Sequence, residues 1–150
     1  MSRVLSNTAL ALTIALILAA CGPDPQNEAR LFLDRMGQVD LDDPLEDRRA
    51  WADTLERMPF ATEEVRRARA ACLDAHRTLI SAEDQNAEAR RRLDEVGGDE
   101  DSLSAESRAA IEAAIGESNR ALARSRGLFS RCTAEKRGLE GRYGGRQRGS

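Results

Sequence analysis

Aromatic side chains are scarce: one Trp, one Tyr and three Phe in 150 residues, or 3%, against 33% charged residues. With a mean hydropathy of −0.54, this excludes a deep globular core and leaves long helices and helix-on-helix packing as the natural class. Strand patterning is absent, so the chain reads as all-α. Lys136 is the only lysine, and nearly all positive charge is Arg. A net charge of −3 and a pI near 5.3 do not point to nucleic acid, and no nucleic-acid partner is expected. No Cys-x-x-Cys, no Gly-rich phosphate loop after a strand and no serine in a nucleophile context are present. The acids of "DLDDPLED", 40–47, lack the glycine and closing Glu of a calcium loop. The only histidine, His76, lies beside Asp74, Arg77 and Arg69 and reads as a surface residue rather than a base or ligand. The sequence thus predicts no catalytic residue, metal site or cofactor.

No apolar run reaches the roughly 20 residues that a membrane span needs. The longest, "ALALTIALILAA" from Ala9 to Ala20, follows Arg3, the only charge before Asp24. A charged start, a short apolar stretch and small residues at its end describe a secretory leader. Here the small residues run directly into a thiol. Leu18-Ala19-Ala20-Cys21 resembles the lipobox of bacterial lipoproteins. The resemblance covers residues 1–21 only. It implies that Cys21 receives a diacylglyceryl group, that residues 1–20 are removed, and that the mature chain stays bound to a membrane outside the cytoplasm. Two or three acyl chains hold far more strongly than one. Gly22 stands where an Asp would favour retention at an inner membrane, which tilts the address towards the periplasmic face of an outer membrane where there is one. Loss of Arg3 takes the net charge from −3 to −4. Residues 21–26, with Pro23 and Pro25, read as a short stiff tether.

Four helices are predicted across 27–137. The first covers Asn27 to Gln38. The second starts with Asp43 as N-cap and Pro44 at the first helical position, and Pro59 ends it. Thr62 caps the third, which runs to Val96 before Gly97-Gly98. Ser104 caps the fourth, which runs to Arg137.

The two long helices carry alternating steps of three and four. In the third the row is Val65, Ala68, Cys72, Ala75, Leu79, Ala82, Asn86, Ala89, Leu93 and Val96. In the fourth it is Ile111, Ile115, Ser118, Leu122, Ser125, Phe129 and Cys132. Folded back about the turn with Cys72 opposite Cys132, they pair Ala75 with Phe129, Leu79 with Ser125, Ala82 with Leu122 and Ala89 with Ile115. Most layers match a large residue with a small one, and Asn86 with Ser118 forms a polar layer. Leu73, Ile80, Ala114, Ala121 and Leu128 fall off this seam, for the two shorter helices to cover in part. With Cys21 consumed by lipid, Cys72 and Cys132 remain as an even pair in an oxidising compartment, where a disulfide is the expected state. The fold expected is therefore an antiparallel coiled-coil helical hairpin, disulfide-locked, with two shorter N-terminal helices.

The end of the chain, 138–150, is rich in Gly and Arg and reads as a disordered basic tail. Arg142, Arg146 and Arg148 are its candidate contacts to an anionic surface such as lipid head groups or cell-wall polymer. The function expected is a non-catalytic structural or interaction module of the cell envelope, with an envelope protein or an anionic surface as partner. The second reading is a periplasmic ligand-binding, inhibitor or chaperone-like protein.

Overall fold

A computed structural model describes residues 24–95 and 103–144. They form four helices: α1 (Pro25–Met36), α2 (Leu45–Arg57), α3 (Glu63–Glu95) and α4 (Ala105–Tyr143). Among the described residues there is no strand.

Local chemistry sets two of the four helix starts. Asp24 caps α1, its carboxylate accepting the Gln26 N–H at 3.0 Å, with Pro25 at the first helical position. The helix therefore begins inside the stretch expected to be tether. Asp43 does not cap α2; Pro44 holds that position with no side-chain cap. The Asp43 carboxylate instead accepts the Asp40 N–H at 2.7 Å and closes the preceding turn. The start of α3 is secured from another helix: the Glu28 carboxylate of α1 accepts the N–H groups of Ala61 and Thr62. Ser104 caps α4 as expected, accepting the Ser107 N–H at 3.1 Å.

The fourth helix does not stop at Arg137. It continues through Gly138 and Gly141 to Tyr143, so residues 138–143 are helical rather than tail. Glycine disfavours a helix, but Leu139 is buried in the core and the Tyr143 hydroxyl donates to Glu64 at 2.8 Å. These contacts outweigh the local propensity.

The long helices pack along each other in an antiparallel sense. Contacts step in opposite directions along the two helices: Glu64 with Arg142, Arg67 with Glu135, Cys72 with Cys132, Ala82 with Ser118 and Gln85 with Glu117. A disulfide joins Cys72 and Cys132, with their Cα atoms 4.6 Å apart. The core sits at the end where α1 and α2 add their apolar faces. Phe32, Leu55, Val65 and Cys72 are fully buried there, with Trp51, Ala52 and Phe60 around them. Beyond Ala82 burial thins to Ala89 and Ile111.

The seam differs from the expected one in half of its rows. On α4 the row Ile111, Ser118, Ser125 and Cys132 is buried as expected. The second row is not Ile115 and Leu122, which are 44% and 37% exposed; Ala121, expected off the seam, is buried. On α3 Asn86 is exposed, and the polar layer with Ser118 does not form. The Ser118 hydroxyl donates to the Ala82 carbonyl at 2.8 Å instead. The reason is closeness of approach. A helix pair held at 4.6 Å between the cystine Cα atoms admits Ala75 and Ala82 of α3 with Ser118, Ala121 and Ser125 of α4 more readily than it admits Leu or Ile.

Candidate functional site

Arg48 projects from α2 onto α3 and is only 3% exposed. Its Nε donates to the Asp43 carbonyl at 3.0 Å, and its two terminal nitrogens grip both oxygens of Glu83. This is a fork-on-fork pair. The hydrogen bonds and charge of Glu83 raise the Arg48 pKa against the opposing effect of burial. Arg49 pairs with Asp84 on the rim of the same interface.

One turn further along α2, Trp51 donates its indole N–H to the Arg35 carbonyl at 2.9 Å and lays its ring over His76, with centroids 4.6 Å apart. Phe129 of α4 meets the other side of His76 edge-on at 5.1 Å. His76 is therefore not a surface residue; it is 6% exposed, enclosed between two aromatic rings. Burial, with the nearby charges of Arg48 and Lys136, lowers its pKa from 6.5 to about 4. The neutral ring fills space between three helices. A one-helix reading places His76 just off the seam; Trp51 of α2 and Phe129 of α4 together cover it.

A second locus lies at the end where both chain segments leave the domain. Asp24, Pro25 and Gln26 line a shallow cleft with Arg142 and Tyr143. Arg142 is ion-paired with Glu64, and Tyr143 binds the other oxygen of the same carboxylate. Arg142 thus helps to pin the end of α4 onto α3, while its side chain remains 59% exposed. At the α1–α3 junction, desolvation pushes the Glu28 carboxyl up. The hydrogen bonds from Thr62 and Ala61, with the charge of Arg66, outweigh this and leave its pKa below the ordinary value.

Of the residues singled out in the sequence, Cys72 and Cys132 are joined. Cys21, Arg146 and Arg148 lie outside the described residues. Sequence reasoning missed Arg48, Glu28 and Glu64, because each acts on a partner far along the chain. It also missed the arginine rows of α4, although the spacing of Arg120, Arg124 and Arg131 carried a readable signal. Among the described residues no three His, Cys, Asp or Glu side chains are placed to hold a metal ion, and no helix is long and apolar enough to cross a membrane. Among the described residues Leu31, Leu41, Ile115 and Leu122 are the large apolar side chains left exposed. No family model, curated protein or solved structure matches this chain.

Proposed function

We propose that the protein is a lipid-anchored module of the bacterial cell envelope with a structural or interaction role rather than a catalytic one. The lipobox-like Leu18-Ala19-Ala20-Cys21 carries this reading. Acylated Cys21 would start the mature chain and hold it at the periplasmic face of a membrane, the outer one where there are two. The cystine between Cys72 and Cys132 supports an oxidising compartment, and the α3–α4 hairpin is taken as a short antiparallel coiled coil. The non-catalytic role is supported by what the buried polar groups do. Arg48, His76 and Ser118 each serve packing between helices. A ligand-binding, inhibitor or chaperone-like role is the second reading, for which exposed Ile115 and Leu122 offer an apolar contact.

The test is intact mass spectrometry of the native protein extracted from membranes. The expected result is a chain beginning at Cys21, carrying acyl mass, and two protons lighter for the Cys72–Cys132 bond. A water-soluble chain without acyl mass would overturn the reading.

A further inference from the structure

The outer face of α4 is basic over its C-terminal half. Between Ser118 and Leu139 five exposed arginines stand against one acid, Glu135, and Glu135 is already engaged by Arg67. Arg120, Arg124, Arg126, Arg131 and Arg137 are all exposed. None of them takes part in an ion pair among the described residues. At 3.6 residues per turn, Arg120, Arg124 and Arg131 fall within about 40° of one another, and Arg126 and Arg137 within about 20°. Between these two rows lie only exposed Ala123, Gly127, Ser130 and Ala134, so no bulky side chain holds the face away from a flat partner. Exposed Ile115 and Leu122 border the Arg126 row. α1 packs on the opposite side of α4, through the region of Leu139 and Tyr143, and α2 packs on α3.

The segment that carries α1 and α2 has the opposite charge. From Asp24 to Glu64 twelve acids stand against five bases. The start of this acidic segment and the end of α4 share one cleft, lined by Asp24 and Arg142. Cys21 is three residues before Asp24, a length of chain that spans at most about 11 Å. That is close to one screening length in physiological salt, about 8 Å.

Resting on the reading of Cys21 as the lipidated residue, we propose that the arginine face of α4 docks on the anionic phospholipid head groups of the membrane that holds the acyl chains. A tether this short keeps the domain within electrostatic reach of the surface, and the charge distribution selects which side turns down. The acidic α1–α2 side is repelled, and the arginine rows are attracted. Guanidinium groups suit phosphate oxygens through paired N–H donors. The roughly 50 Å hairpin then lies along the membrane instead of standing away from it, and presents α1 and α2 outward.

The experiment uses the unacylated chain from Gly22 to Ser150, which contains every described residue and the whole core, so that binding reads the charged face alone. Vesicles of phosphatidylcholine, with and without phosphatidylglycerol, are floated with wild type, R120S/R124S/R131S, R120K/R124K/R131K and R146S/R148S. Far-UV circular dichroism and the mass of the closed disulfide check folding. The expected result is binding to the anionic vesicles alone, weakened at least about tenfold between roughly 50 and 500 mM salt. The triple Ser variant should lose on the order of 100-fold, about fivefold for each arginine near the surface. The Lys variant should stay within a few-fold of wild type. Equal binding by the triple Ser variant, loss confined to R146S/R148S, or tighter binding of wild type to heparin than to the vesicles would each overturn the proposal. Failure of acylation in the native protein is read separately, by mass, and overturns the anchoring instead.

Discussion

His76 shows most clearly how surroundings decide a residue's chemistry. In the unfolded chain it protonates near pH 6.5; between Trp51 and Phe129 it stays neutral down to about pH 4. The unfolded state therefore binds the extra proton first, and stability falls as the pH drops through that window. Above pH 6.5 the contribution is fully present; near pH 4 it is gone. The loss amounts to as much as about 3 kcal/mol. Urea unfolding at pH 7.5, 5.5 and 4.5 should show this decline, and His76→Leu should flatten it between pH 6.5 and 4 while keeping apolar volume. A variant with an unchanged pH slope would assign the decline to other groups. Nothing within a window around His76 reveals this environment, because Trp51 reaches it from another helix. Arg48 is alike: its burial makes sense only once Glu83 lies opposite.

At the scale of the element, α4 shows where local rules bind and where they yield. Its start obeys them, with the Ser104 hydroxyl satisfying a free N–H of the first turn. Its end does not, since Gly138 and Gly141 sit inside the helix. A Cβ added at Gly127, Gly138 or Gly141 would meet nothing within 4 Å, so these glycines contribute only chain entropy to the unfolded state. Replacing all three with Ala should stabilise the domain, each change by roughly 0.4–1 kcal/mol. A rise in the urea midpoint with an unchanged slope would show it; a fall would mean that the last turns of α4 need glycine. The seam teaches a related lesson. Counting in threes and fours locates the buried row through Ile111, Ser118, Ser125 and Cys132. It cannot decide on which side the second row lies. Ile115 and Leu122 are the more apolar choice, and Ala121 is the one that fits a close backbone approach.

At the scale of the whole molecule, two long helices share a core mainly at one end, and a single covalent bond crosses them beside that core. The cystine closes a loop with a sequence separation of 60, which in the chain-entropy model corresponds to roughly 4 kcal/mol. C72S/C132S, or reduction of the native protein, should lower the unfolding free energy by about that amount, measured by urea denaturation at pH 7.5. A change under about 1 kcal/mol would mean that packing of Phe32, Leu55 and Val65 alone holds the hairpin closed. Charge is also organised at this scale. Acids collect on the segment bearing α1 and α2, and exposed arginines collect on the C-terminal half of α4.

The sequence by itself determined the helical class, the order and approximate extent of the four helices and the partnership of Cys72 with Cys132. Each follows from short-range chemistry: apolar spacing at the helical period, caps, prolines, and an even pair of thiols whose antiparallel register brings them together. Only the tertiary structure decided that α4 reaches Tyr143, that Glu28 secures the start of α3, that His76 is enclosed, and that alanines rather than Ile115 and Leu122 line the seam. Those outcomes depend on distances between segments remote in the chain. A buried contact there outweighs a local preference of a kcal/mol or less per residue, and no window of neighbouring residues contains that contact.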